Sequence, residues 1–339
     1  MKILVTGAAG FIGFHLTARL ANDGHSVVAL DNLNDYYAVS LKGARLERLV
    51  DVPFHTIDIA DLKALDELFA RERFTHVVHL AAQAGVRHSV DHPHEYGLSN
   101  LTGFLNILDV CNRFKVEHFL YASSSSVYGV SDAPEVTEDH PLVPLTLYNR
   151  FKGECEPILF QHQSPDFTCV TIRPATVCGY APRCRLDLTV NILTNHAITN
   201  GKITVFGGEQ KRPNLHVEDM CDVYEVMLDA PAENIAGEIF NIGYENFTVM
   251  EIAQFVQGVV SEEFPELGKV DIVVTESDDK RSYQINSDKI KRVLGFVPKR
   301  NIEDAARSIC AAFKDGRLPD SMTNDNYFNV RKMKTLKVA

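Results

Sequence analysis

The chain has 339 residues, 45% hydrophobic and 23% charged, with a formal net charge of −11 at pH 7. This is the composition of a globular protein, long enough for one large domain or a domain with a smaller lobe, and its acidity argues against a nucleic-acid footprint. No apolar run reaches the ~20 residues of a membrane span, no leader-like segment precedes the first strand pattern, and the seven cysteines show neither Cys-x-x-Cys nor Cys/His metal spacing. A cytoplasmic chain with free thiols (Cys178 and Cys184 included), no membrane or nucleic-acid partner and no metal is the expectation.

In chain order, residues 2–6 (KILVT) form a buried-strand pattern, and Gly7, Gly10 and Gly13 follow at intervals of three at the start of a helical pattern. The first glycine permits a tight turn, the second lets a diphosphate approach the helix N-terminus, and the third lets helix and strand pack closely. Residues 26–30 read as a second strand ending on Asp31, where a carboxylate accepts hydrogen bonds from ribose hydroxyls and repels a 2′-phosphate. Strand, glycines, helix, strand and acid in this order point to NAD rather than NADP. Further strands are predicted at 53–56, 76–79, 118–122 and 168–172, with helical stretches between them such as 61–71, N-capped by Asp61, and 100–113.

That alternation predicts an α/β fold with a Rossmann-like doubly wound parallel sheet, whose ligands lie beyond the C-terminal strand ends. Gly7, Asp31, Asp58, Leu80, Ser124 and Pro174 fall at those ends. The second half mixes strand patterns (203–206, 214–217, 238–241, 270–274) with helical ones (218–228, 248–259, 287–294, 302–313). It reads as a smaller mixed α/β substrate lobe, so the expected division is 1–177 for the NAD-binding domain and 178–339 for the lobe, with some elements returning to the large domain. The tail carries Arg331, Lys332, Lys334 and Lys337 and reads as a solvated terminus.

Two segments carry chemistry. Tyr148 and Lys152 are four apart at the start of a helical pattern and so share one face. A free phenol, with its pKa near ~10, is a poor base at neutral pH, but a neighbouring ammonium and a positive nicotinamide ring both favour the phenolate. Ser123, Ser124, Ser125 and Ser126 directly follow the strand pattern at 118–122 and suit a bank of hydroxyls facing a polyhydroxylated ligand.

The segments TGAAGFIG, ALDNLNDYY, Asp58-Ile59, HLAAQAGVR, YASSSSVYG, YNRFK, RPATVCG and RPNLHVEDM extend to residue 220, with FNIG at 240–243 beyond. On these the chain resembles the extended short-chain dehydrogenases/reductases, and among them the NAD-dependent nucleotide-sugar epimerases. The likeness is strongest to UDP-glucuronate 4-epimerases, through DNLNDYYAVSLKGARL, AAQAGVR and YASSSSVYG, and then to UDP-galactose 4-epimerases.

The resemblance implies that Gly7, Gly10, Phe11, Ile12 and Gly13 surround the NAD diphosphate. It gives the adenosine ribose to Asp31 and Asn32 and the adenine to Asp58 and Ile59. Leu80, Ala81, Ala82 and Gln83 would line the nicotinamide side, with Asn100 beneath. Ser124, Tyr148 and Lys152 match the catalytic trio, and Tyr148 and Lys152 also meet the cofactor. Thr176 matches a sugar contact, and Arg212 and Arg281 match arginines that hold the nucleotide diphosphate. Related dehydratases carry Asp-Glu where this chain has Ser125-Ser126, and decarboxylases usually keep a glutamate at Ser126. Two serines cannot supply that proton work at neutral pH, which favours reversible oxidation at one carbon.

The chain departs from the glucuronate-epimerase pattern at Tyr180–Asp187 and at Pro213-Asn214, so the substrate is less determined than the reaction. Arg87, Arg183 and Arg185 can pair a sugar carboxylate, or face phosphate or solvent. The expected activity is C4 epimerisation of UDP-glucuronate/UDP-galacturonate through a 4-keto intermediate. The alternatives are a UDP-glucose/galactose 4-epimerase, another nucleotide-sugar dehydratase or reductase, and an idle NAD-binding regulator. The resemblance also implies a homodimer through a four-helix interface formed by helices at 100–113 and 148–162.

Overall fold

Apolar runs such as KILVT and SVVALD have no polar face, and strands of that kind are buried on both sides by crossover helices. The computed structural model of the chain describes residues 1–36, 39–86, 88–131, 133–182, 184–276, 282, 284–324 and 327–328. Its first strands are β1 (Lys2–Thr6), β2 (Ser26–Asp31), β3 (Phe54–Thr56), β4 (His76–His79), β5 (His118–Ala122) and β6 (Thr168–Pro174). The second half adds β7 (Thr176–Cys178), β8 (Lys202–Phe206), β9 (Lys211–His216), β10 (Glu238–Ile242), β11 (Glu245–Thr248) and β12 (Asp271–Thr275).

Seven of them form one sheet, ordered β10-β6-β5-β4-β1-β2-β3 and parallel at every pairing. The order reverses between β1 and β4, the switch point where such sheets bind ligands. β11, β9 and β7 make a second sheet, and β12 pairs with β8.

The helices that matter for the site are α1 (Phe11–Asn22), α2 (Val39–Leu46), α3 (Leu62–Glu72), α4 (His88–Asp91), α5 (Pro93–Tyr96), α6 (Gly103–Arg113), α7 (Leu147–Phe160), α8 (Thr189–Asn200) and α9 (Val217–Leu228). Between α5 and α6 the chain makes a π-helical turn, Gly97–Thr102. One apolar core joins the sheet to α1 and α9, through Leu16, Leu20, Met220 and Tyr224. A second joins its other face to α3, α6 and α7, through Leu65, Phe69, Phe104, Ile107 and Leu159. Arg19 of α1 also pairs with Glu218 and Asp222 of α9, so the second half is tied to the first by charge as well as packing. Among the described residues no helix is long and apolar enough to cross a membrane. All seven cysteines are free and buried.

The six predicted strands of the first half are present, and Asp61 caps α3 by accepting from the Ala64 N–H at 3.0 Å. Several elements escaped the sequence pattern or start elsewhere, β7, β11, α4 and α5 among them. α8 (TVNILTNHAITN) buries Asn191, Thr194 and Asn195, so its inward face does not read as apolar. α2 is short and buries Lys42 and Arg45. β9 begins at Lys211 rather than 214 because Pro213 sits where only β11 flanks the strand; β7 joins from Asn214 onward, so the missing N–H costs no ladder bond there.

Candidate active site

The strand ends open into a cavity of about 540 Å³. Gly7, Gly10, Phe11, Ile12 and Gly13 line one end. Gly7 has φ +72°, and a Cβ there would lie 2.8 Å from the Ala81 nitrogen. A Cβ on Gly13 would lie 2.1 Å from the Gly7 carbonyl oxygen. Only hydrogen fits at either position, so the turn and the start of α1 stay open to a diphosphate at a helix N-terminus. Asp31, at the end of β2, is buried. Its Oδ1 accepts from the Leu33 N–H at 2.8 Å and from Lys42 Nζ at 3.0 Å. Cradle, helix terminus and strand-end acid together fit the diphosphate and adenosine ribose of NAD.

A polar belt runs from there to the other end. Lys42 Nζ also donates to Asn34 Oδ1 at 3.0 Å, and Asn34 Nδ2 donates to Gln83 Oε1 at 3.1 Å. Asn100, on the π-helical turn, accepts from the Gln83 N–H at 2.7 Å and donates to the Gln83 carbonyl at 3.0 Å. It therefore shapes the wall from beneath without lining the cavity. Leu80, Ala81, Ala82 and Gln83 do line it. Ile59 is on the wall, and Asp58 stands exposed outside it, accepting from Asn32 Nδ2 at 2.9 Å and from the Ala60 N–H.

Ser124, Tyr148 and Lys152 share one stretch of wall. Tyr148 and Lys152 stand one turn apart on α7. Lys152 is buried, donates to the Ala122 carbonyl at 2.6 Å and lies over the Tyr121 ring at 4.9 Å. Burial brings its ammonium down to about 8, against a partial opposing pull from Cys155 and Glu156. Ser126 donates to Asn149 Oδ1 at 3.0 Å, so at the 2.7 Å Ser124–Ser126 contact the Ser124 hydroxyl is the donor.

The serine bank is not uniform. Ser124 and Ser126 are half-buried on the wall, and Ser125 also lines it though nearly sealed. Ser123 also borders the cavity, but its hydroxyl turns inward to Glu156 Oε1 at 2.6 Å. Glu156 in turn takes both arms of buried Arg173 (3.0 and 2.5 Å), and Arg173 donates to the Tyr128 hydroxyl at 2.7 Å, which donates to Asn241 of β10 at 2.7 Å. The first serine anchors the turn, because a buried carboxylate needs every available donor.

The remaining wall comes from the second half. Thr176 on β7, Arg185 in the following loop and Arg212 on β9 all line the cavity. Arg185 donates to Asp187 through Nε (3.0 Å) and Nη2 (3.2 Å). Asn191 of α8 pins that loop, accepting from the Gly179 N–H and donating to the Gly179 and Arg185 carbonyls (3.1, 3.0 and 2.8 Å). Arg87, Arg183 and Arg281, and the basic tail from Arg331, lie outside the described residues.

Sequence reasoning passed over Asn34, Lys42, Asn149, Asp187, Asn191 and the Glu156–Arg173 pair. Lys42 and Arg45, three apart in SLKGARL, were the readable signal: two cations sharing the inward face of one short helix. The others depend on partners distant in sequence.

Residues 3–243 match the NAD dependent epimerase/dehydratase family. UDP-glucuronate 4-epimerase 4 of Arabidopsis thaliana is 32% identical over 324 residues, covering 89% of this chain and 73% of that protein. The crystal structure of UDP-glucuronic acid 4-epimerase from Bacillus cereus, in complex with UDP-glucuronic acid and NAD, superposes with a TM-score of 0.81 at 28% identity, over 93% of this chain and 99% of that one. UDP-glucose 4-epimerase from Thermotoga maritima, solved with UDP-glucose, gives the same TM-score and coverages at 27% identity. The family match spans most of the chain, and the glycine cradle and Asp31 fit its cofactor: the protein belongs to the NAD-dependent epimerase/dehydratase family and is an NAD-using enzyme.

Proposed function

We propose that the protein interconverts UDP-glucuronate and UDP-galacturonate. In class it is an NAD-dependent nucleotide-sugar 4-epimerase. The observation that carries the narrower reading is Arg185, a cation on the cavity wall, in a chain whose relatives include UDP-glucuronate 4-epimerases.

Tyr148 is the proposed base, taking the proton of the C4 hydroxyl, with Ser124 sharing the hydrogen bond and Lys152 favouring the phenolate. Bound NAD supplies a nicotinamide ring that takes the hydride from C4 and returns it. The chain holds the 4-keto sugar by its nucleotide through Arg212 while the sugar turns, and Tyr148 then gives the proton back to the same C4 oxygen, the sugar now presenting its other face to the cofactor. Orientation and a tuned base are the protein's contribution. The sugar carboxylate is met by Arg185, drawn in part from Asp187, and by Ser126 and Thr176. Its proposed partner is a second copy: Leu98 and Leu105, 57% and 41% exposed, stand two turns apart on the 97–113 helix.

The Arg185–Asp187 pairing also supports a second reading, a neutral hexose substrate, because the guanidinium already has an anion. Comparing kcat/KM for UDP-glucuronate and UDP-glucose, with products read by NMR, separates the two. An unpaired polar site should cost the hexose about 1–3 kcal/mol, roughly 5- to 150-fold. Equal values, or a preference for UDP-glucose, overturn the hexuronate reading.

A further inference from the structure

His88, His92 and Glu95 fall at i, i+4 and i+7 along α4, the joint at His92 and α5. One donor atom of each lies within 4.8 Å of the other two. His92 Nδ1 is 2.9 Å from Glu95 Oε1, and the two imidazoles stack with centroids 3.9 Å apart at 15°. His92 Nε2 is sealed from solvent with no hydrogen-bond partner. A buried ring nitrogen with nothing to bond is a cost that a bound cation would remove. We propose that His88, His92 and Glu95 form a binding site for a divalent transition-metal ion, Zn²⁺ in the first instance, on the outer side of the catalytic wall.

The donor set fits that chemistry. Two imidazoles and one carboxylate suit borderline ions such as Zn²⁺ rather than Mg²⁺ or Ca²⁺, which prefer all-oxygen shells. Three protein ligands leave a coordination position for water.

The location gives the ion something to act on. His92 is the joint between α4 and α5, and Pro93 follows it directly. The His88 ring packs on Tyr36 (4.8 Å) and Tyr96 (5.8 Å). Tyr96 donates to the Gly85 carbonyl at 2.8 Å, and Gly85 lines the cavity. Tyr96 also meets the Tyr148 ring edge-on, at 6.4 Å and 89°. An ion across the joint fixes α4 against α5, and with them the wall behind Tyr148.

Tag-free protein, stripped with a chelator and dialysed, is titrated with Zn²⁺ against a fluorescent competitor, with Co²⁺ absorption reporting the ligand field. The expected result is one equivalent bound and a metal-dependent rise in Tm of a few degrees. His92→Ala should weaken binding at least tenfold. His88→Phe, which keeps a ring against Tyr36, should do the same. His94→Ala, an exposed neighbour outside the cluster, should leave affinity unchanged. The metal-free Tm of each variant separates lost ligation from lost fold. Absence of stoichiometric binding, or binding that His88→Phe and His92→Ala leave intact, overturns the site.

Discussion

The two ends of the cavity are built differently. The dinucleotide end is made of backbone: a glycine turn, the first amides of α1 and the end of β2, all within residues 7–31. The rest of the cavity is made of side chains brought from afar: Thr176, Arg185 and Arg212 all line it, with Asn191 holding the loop that carries Arg185. Backbone geometry allows almost no substitution, as the 2.1 Å approach at Gly13 shows. Side-chain walls can be rewritten one residue at a time. Dinucleotide binding should therefore be hard to redesign in this protein and substrate choice easy.

Three experiments press on that contrast. The largest effect belongs where the two ends meet. Tyr148→Phe keeps the ring packed on Tyr96 and removes only the phenolic oxygen, so turnover should fall ~10²- to 10⁴-fold with NAD retained. Turnover within a few-fold of the parent rejects Tyr148 as the base. A smaller effect is expected on the side-chain wall. Arg185→Ala should lower kcat/KM for UDP-glucuronate by about 10- to 150-fold, the worth of a charged hydrogen bond, while co-purified NAD is unchanged. Loss of NAD from this variant would show that the two ends are not separable.

The smallest effect tests the dinucleotide end through its support. Burial, with the nearby Lys152 charge, holds the His79 imidazole down at about 3. His79 bonds Thr6, whose Oγ1 also accepts from the Ala81 N–H. A histidine kept neutral when folded takes up a proton when unfolded. Its contribution is therefore intact above pH 6.5 and is lost as pH falls from 6.5 towards 3. One such group gives a slope of about 1.4 kcal/mol per pH unit in that window. In urea titrations His79→Asn should flatten the slope by that amount, and an unchanged slope would move the effect to other groups.

The same contrast governs what the sequence made legible. The parallel sheet, Asp31 and the glycine turn follow from local apolar runs and spacing, because each part is complete within a few residues. Tyr148 and Lys152 were legible as a pair for the same reason: one helical turn sets their relation. Arg185 was recognisable as a cation, but its pairing with Asp187 depends on a loop conformation that Asn191 fixes from α8, a helix whose buried polar face hides its pattern. Ser123 could not be told from its neighbours, since only the buried Glu156–Arg173 pair decides which way its hydroxyl turns. His88, His92 and Glu95 carry a spacing that a search for Cys-x-x-Cys and Cys/His pairs passes over.

β10 has a consequence for recombination. Residues 238–242 come from the second half of the chain yet complete the edge of the main sheet against β6, and Asn241 there receives the Tyr128 hydroxyl bond. Chain order and spatial order thus disagree. A cut after 177 strips β6 of its outer neighbour and presents a row of bare amides and carbonyls, an edge ready to pair with another copy. Lobes of two relatives cannot be exchanged there as cassettes: a graft that keeps this protein's first half must keep 238–242 with it.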